Sequence, residues 1–254
     1  MYKSDLHIHT IMSGHAFCSV NECVEKAGKC GLSIIAITDH GPAMEHSAHE
    51  GYFEMSARLP KHFGDINVLF GCEMNILNKS GDVDLSAKTM SGLDVVLAGL
   101  HEKTPYTGSN EIENTEAIIN AMRTHPEINI ITHPFRAEFP VFVPDIVQAA
   151  KEWGVVLEIN LALLLKAIKR KEESYNALVI NKTAEMVRLL QEMGCEYLIN
   201  SDAHHTSEIG ISSDLLSILE SELGIDSEFI MNNNLNSLKQ FIPAIAVHGG
   251  ELLC

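Results

Sequence analysis

The sequence has no uninterrupted apolar run near the ~20 residues needed to cross a bilayer. Its richest stretch, "VVLEINLALLL", is broken by Glu158 and Asn160. No apolar leader follows Met1, so the chain reads as soluble and cytoplasmic, with no membrane partner. The six cysteines (Cys18, Cys23, Cys30, Cys72, Cys195 and Cys254) contain no C-x-x-C pair. A thiolate cage is thereby disfavoured, and reduced, mostly structural cysteines are expected. Positive charge is scarce: 18 Lys and Arg against 34 Asp and Glu leave a formal net charge of −16, and only 5 of the 18 are Arg. That argues against the broad basic footprint that binds nucleic acid or anionic lipid. It leaves room for a phosphate substrate, because bound divalent cations can supply the missing charge. Nor is there a G-x-S-x-G elbow, a suitably spaced Cys–His pair or a Walker-type loop, so no activated protein nucleophile is evident. Without a Pro/Gly/Ser-rich linker or a repeat, the expectation is a single domain over 1–254, long enough to bury a large core.

What the chain has in quantity is histidine, 13 in all. Its apolar residues fall in short runs rich in β-branched side chains: "YKSDLHI", "SIIAIT", "INVLFG", "DVVLAG", "INIIT", "VVLEIN" and "CEYLIN". Runs of this length and composition suit strands buried on both faces of a parallel sheet. Helical patterns lie between them. "SVNECVEKAGKCG" offers a capping box from Ser19 to Glu22 and a stop at Gly31, "VPDIVQAAKEWG" has Pro144 near its start, and "NKTAEMVRLLQEMG" and "SSDLLSILESELG" both close on Gly. Strand and helix alternation predicts an α/β fold with a parallel sheet, closed into a barrel of about seven strands in preference to an open doubly wound sheet.

The polar residues map onto that scaffold in a pattern. His7 and His9 end the first strand and His15 follows it. Asp39 and His40 follow the second, Glu73 the third, His101 the fourth and His133 the fifth. Asn160 closes the sixth, and Asp202 and His204 follow the seventh. In a parallel barrel those ends share one face, where active sites form. Taken singly, Asp39 or Asp202 reads as a helix cap, and His101 or His133 as a core histidine. Seven histidines, a glutamate and an aspartate at successive strand ends read as a metal site. Imidazole with carboxylate suits zinc, iron or manganese, and nine candidate ligands at about three or four per ion imply two or three ions. His46, His49, His62, His125 and His248 fall elsewhere and are expected to be structural or solvated.

The ordered motifs "DLHIHT…H", "ITDHG", "GCEMN", "GLHE", "ITHP" and "NSDAHH" resemble the PHP family, named for polymerases and histidinol phosphatase, and most of all its short single-domain YcdX-type phosphatases. The resemblance runs from Asp5 through Gly210. It implies a distorted (β/α)7 barrel with the metal site at the carboxyl ends of the strands. Three divalent ions are implied, usually zinc, with manganese or iron as substitutes. By position, it assigns His7, His9, Glu73 and Asp202 to one ion, with Glu73 bridging to a second held by His101 and His133. The third takes His15, His40 and His204. Asp39 is implied to support a ligand imidazole by accepting its hydrogen bond, and Ser201 suits a similar role.

The expected activity is hydrolysis of a small phosphorylated substrate, most simply a phosphomonoester, by a metal-bridged hydroxide. Arg136, three residues beyond His133, is a candidate for holding phosphate. His205 is a candidate proton donor to the leaving alkoxide. The competing readings are a histidinol-phosphate phosphatase, a PHP-type nuclease or phosphodiesterase, and a module whose ions only hold the fold together. The rim differs from the resembled phosphatases: "HPFR" and "EINLALLLKAIKR" put Phe135, Arg136 and a leucine run where small or polar residues are usual. A more apolar leaving group is in keeping with that change.

Overall fold

The β-branched runs become strands because neither of their faces meets water. In the computed structural model, which describes residues 2–108, 110–169 and 173–245, these are β1 (Ser4–Ile8), β2 (Ile34–Ile37), β3 (His62–Phe63), β4 (Ile66–Asn75), β5 (Val95–Gly99), β6 (Ile130–Ile131), β7 (Val156–Asn160) and β8 (Leu198–Asn200). Seven run parallel in the order β1-β2-β4-β5-β6-β7-β8, and β3 pairs antiparallel with β4. The helices are α1 (Val20–Lys29), α2 (Glu50–Glu54), α3 (Ala87–Met90), α4 (Glu111–Thr124), α5 (Val143–Trp153), α6 (Leu161–Lys169), α7 (Glu173–Glu192), α8 (Ser213–Leu223) and α9 (Leu235–Phe241). His248 and Cys254 lie outside the described residues.

All seven expected strands form, several of them shorter than their apolar runs. One is longer. β4 continues through Glu73, so that residue lies within a strand instead of after it. The lower half of β4 pairs with β2 (Asn67–Phe70) and the upper half with β5 (Gly71–Asn75). The β5 ladder begins at Gly71, where an added Cβ would overlap the Val95 carbonyl oxygen, while Glu73 remains bridged to His40 just beyond β2. The small strand β3 is additional to the sequence expectation, a hairpin turned at Gly64 and Asp65. Helix starts follow their caps. Ser19 and Glu22 make the reciprocal capping box of α1, and Pro144 sits in the first turn of α5. The leucine run after β7 forms α6 with no intervening loop, and α7 begins well before its expected segment.

Among the described residues β1 and β8 form no ladder and meet at the bridge of Ile8 with Ala203. Side chains stitch this seam. Asn200 Oδ1 accepts the Leu6 N–H (3.0 Å), Asp5 accepts the N–H groups of Ser201 (3.1 Å) and Gly210 (3.2 Å), and Asn232 Nδ2 donates to the Ser4 carbonyl (3.1 Å). Leu6, Ile34, Leu69, Leu97, Ile130, Val156 and Leu198 pack with Leu238, Ile242 and Ile245 from the C-terminal segment. A second, larger core joins the other strand face to the helices. Along β7 the residue two beyond Val156 is Glu158, and along β8 the residue two beyond Leu198 is Asn200. Positions two apart on a strand share a face, so each strand passes from apolar packing to polar side chains as it nears its carboxyl end.

Candidate metal centre

Four non-glycine residues among those described have positive φ: His46 (69°), Lys103 (62°), His133 (26°) and Asp202 (54°). All four line one cavity of about 360 Å³ at the carboxyl ends of the strands. Such backbone costs energy and persists where the surroundings impose it. The same cavity exposes His15, His40, His101, Arg136 and His204.

Below it the side chains converge. His7 Nε2 lies 3.0 Å from His9 Nε2, 3.3 Å from Glu73 Oε1 and 3.5 Å from Asp202 Oδ1. His9 Nε2 lies 3.1 Å from Asp202 Oδ1 and 3.4 Å from Glu73 Oε2. Glu73 sits between two sets of rings. Its Oε1 is 3.0 Å from both His101 Nε2 and His133 Nε2, which are 3.2 Å from each other, while its Oε2 is 2.8 Å from His40 Nδ1. Compact groups of potential ligand atoms are formed by His7, His9 and Asp202, by His9, His40 and His204, and by His40, Glu73 and His101. His15, on the exposed side, stacks 4.9 Å from the rings of both His40 and His204.

Supporting hydrogen bonds fix which ring nitrogens face inward. His7 Nδ1 is 2.8 Å from Glu158 Oε1, and a carboxylate there takes an Nδ1–H. Ser13 donates its only hydroxyl proton to Asp39 Oδ1 (2.6 Å), so it accepts from His9 Nδ1 (3.0 Å). His204 Nδ1 is paired with the Asp202 carbonyl at 3.0 Å. The Nε2 atoms of His7, His9 and His204 are thereby left for the cluster. Facing lone pairs on His7 and His9, with two carboxylates beside them, call for positive charge between them.

The electrostatics agree. Burial opposes charging His7, yet Glu158, Glu73 and Asp202 raise its pKa well above the ordinary value. Burial would raise Glu73 and Asp202, but the surrounding histidines hold both well below the usual carboxylate range. Burial and the neighbouring rings keep His9 low and bring His15 down to about 4, and burial lowers His101. The site thus favours a cation at its centre, a proton on His7 or a metal ion. His40 Nδ1 and Glu73 Oε2, both buried, are misaligned for a hydrogen bond despite their 2.8 Å separation. This donor set fits metal ions.

The supporting residues differ from expectation in three respects. Asp39 touches no ligand imidazole. It accepts from Thr10 N–H and hydroxyl, Ser13 and Tyr52, and reaches His9 only through Ser13. Ser201 serves the backbone, donating to the His7 carbonyl and accepting the Ala203 N–H. His205 is exposed and caps a short 3-10 turn, its Nδ1 accepting the Ser207 N–H at 3.1 Å, and it is absent from the cavity lining. Arg136 does reach the cavity, flanked by Glu102 (3.8 Å) and Glu138 (3.7 Å). His46 also reaches the rim, while His49 caps α2 and His125 meets the Gly81 carbonyl.

Glu158 was not anticipated. Besides His7 it accepts the His133 N–H (3.0 Å) and the side-chain amides of Asn160 (2.9 Å) and Asn200 (3.0 Å). Its signal in the sequence was a charged residue inside an otherwise buried strand, on the face of Val156. Asn160 Nδ2 in turn holds Asp202 Oδ2 at 3.1 Å, and Thr132 donates to Glu73 Oε1 at 2.8 Å.

Comparison with known proteins places this geometry. A probable phosphatase of Thermoanaerobacter sp. (strain X514) is 36% identical over 239 residues, 94% of this chain and 93% of that protein. One from Clostridium acetobutylicum is 32% identical over 243 residues, 96% and 95% of the two chains. Among solved structures, a histidinol phosphate phosphatase from Lactococcus lactis, complexed with zinc, L-histidinol and phosphate, shares the fold with a TM-score of 0.60 at 18% identity, covering 88% of this chain and 93% of that one. A chain in an archaeal ribonuclease P with mature tRNA gives a TM-score of 0.59 at 11% identity, covering 98% and 94%. The PHP domain model matches residues 5–127, and the full-length likeness carries the relation through the remaining strands: this chain belongs to the PHP family.

Proposed function

We propose that the protein is a metal-dependent phosphoesterase acting on small phosphomonoesters. The observation that carries this reading is the 3.0 Å approach of His7 Nε2 and His9 Nε2 beside Glu73 and Asp202, on rings whose other nitrogens are already committed. The match to probable phosphatases along 94% of the chain supports the reaction class. Three divalent ions, zinc foremost, would be held by His7, His9, Glu73 and Asp202, by Glu73, His101 and His133, and by His15, His40 and His204. When bound, such ions lower the pKa of water towards ~7 and offset charge on phosphoryl oxygens.

The chain's own residues do the rest. Hydrolysis joins a water oxygen to phosphorus, breaks the ester P–O bond and returns a proton to the leaving alkoxide. Glu158 and the Asp39–Ser13 pair hold His7 and His9 in the orientation that presents Nε2, a supporting role that tunes ligands as much as their identity does. Asn160 holds Asp202. Arg136 lines the cavity beside His133 and Asp202, and its planar fork suits two phosphoryl oxygens at once. The acidic balance of the chain favours a small substrate over a polynucleotide.

The test is elemental analysis of protein purified without chelator or histidine tag, paired with assays on p-nitrophenyl phosphate and bis(p-nitrophenyl) phosphate. The expected result is about three transition-metal ions per chain and hydrolysis of the monoester over the diester, lost on chelation and restored by a divalent metal. Failure to hold metal after reconstitution, or activity surviving its removal, overturns the proposal.

A further inference from the structure

The catalytic cavity does not end at the metal ligands. His133, Arg136, Asp202 and His204 also line a second cavity of about 190 Å³, whose far wall includes Ala162 and Lys166. Those two residues in turn line a third cavity of about 410 Å³, walled by Leu161, Leu165 and Leu215. The three spaces adjoin in sequence along α6 through these shared lining residues.

We propose that the third cavity is the subsite for the leaving group, and that it takes an alcohol with an apolar body the size of a phenylalkyl chain. This rests on the phosphoesterase reading of the site. Three observations carry it. First, α6 springs from β7 without a loop and is capped there by Asn160, whose Oδ1 accepts the Leu163 N–H (2.9 Å) while its Nδ2 holds Asp202. The leucine wall is thereby fixed to a strand whose last residue, Asn160, also holds Asp202. Second, Ser201 and Glu208, which line the third cavity together with Lys166, already make hydrogen bonds within the chain. Ser201 is used on the His7 carbonyl and the Ala203 N–H, and Glu208 Oε2 accepts the N–H groups of His204 and His205. A polar guest finds little there to replace its water, whereas an apolar one gains from burial. Third, Lys166 stands at the junction, lining both the second and the third cavity. A long side chain there covers apolar surface with its stem while its charge stays hydrated.

The experiment compares the metal-loaded protein on 3-phenylpropyl phosphate and ethyl phosphate, esters whose leaving alcohols are similarly basic. Direct binding of 3-phenylpropylphosphonate, which cannot be hydrolysed, is measured alongside by calorimetry. The expected result is a kcat/KM roughly 100-fold higher for the phenylpropyl ester, in the range a hydrophobic pocket gives. In Leu165→Asn, and independently in Leu215→Asn on α8, that ratio falls about tenfold and phosphonate affinity falls with it. Equal kcat/KM for the two esters, or a ratio indifferent to both substitutions, overturns the subsite. Phosphonate binding that depends on Leu165 without hydrolysis of either ester would retain the subsite and remove the phosphoesterase reading.

Discussion

Glu158 is buried among polar partners and meets the cluster through His7 and the His133 backbone. Its replacement by Gln keeps the shape but removes the charge that favours an Nδ1–H on His7. The expected outcome is metal affinity lower by about 10- to 100-fold, read by competition with a chromogenic chelator, with the fold retained by circular dichroism. The clustering of histidines and carboxylates was legible in the sequence because their side-chain types are unusual together and recur at strand ends. Glu158 was not, because inside an apolar run a single charge looks like an interruption, and only the strand's two-residue alternation reveals that it points with Val156. The Asp39–Ser13–His9 relay was hidden for a different reason: it joins residues whose partners are set by the loop after β1. Thiol reactivity belongs to this scale as well. Burial pushes the Cys23 and Cys72 thiols up, and Cys30 is exposed. Brief native alkylation at pH 8 followed by peptide mapping is expected to label Cys30 and leave Cys23 and Cys72 unmodified.

At the scale of elements, β4 is the longest described strand and is laddered to β2 along its lower half and to β5 along its upper half, so its register fixes where Glu73 stands against the rings that follow β5 and β6. Gly71 allows the close approach to β5, since a methyl group there would overlap the Val95 carbonyl. Gly71→Ala is expected to cost about 2 kcal/mol or more by overpacking, seen as a lower urea midpoint. The tie between α2 and α3 is a carboxylate. Glu50 accepts from the Thr89 hydroxyl (2.6 Å) and the Ser86 N–H (3.0 Å), and hydrogen bonds from Ser86 and Thr89 hold its pKa down to about 2, from 4.5. A depressed carboxylate contributes stability that is present above 4.5 and lost as pH falls towards 2. The stability difference between wild type and Glu50→Gln is therefore expected to shrink across that window, measured by denaturation at stepped pH. The strands and the capped helices α1, α5 and α8 were readable from β-branched runs, cap residues and terminal glycines. α6 was not, because its leucines continue the apolar run of β7 without a breaker. β3 was missed because a two-residue strand carries no periodicity.

Across the whole molecule, the site spans the junction between the two ends of the barrel. His7 lies in its first strand and His9 just past it, Asp202 and His204 just beyond its last, where β1 and β8 share, among the described residues, one bridge instead of a ladder. Ligand binding across that junction is expected to raise the melting temperature of the metal-loaded protein above that of the chelated one, with recovery on adding metal, in a calorimetric scan. The barrel could be read from the alternation of strands and helices, whereas the side-chain stitching that closes it could not, since Asp5, Asn200 and Asn232 are unremarkable in sequence. That closure has a consequence in time. Leu6 and Asn200, hydrogen-bonded across the junction, are 194 residues apart. At usual rates of synthesis the ribosome needs roughly 10–40 s to add that much chain. For that interval the first histidines have emerged without the carboxylate that completes their group, and the growing chain meets the cell's cations with half a site.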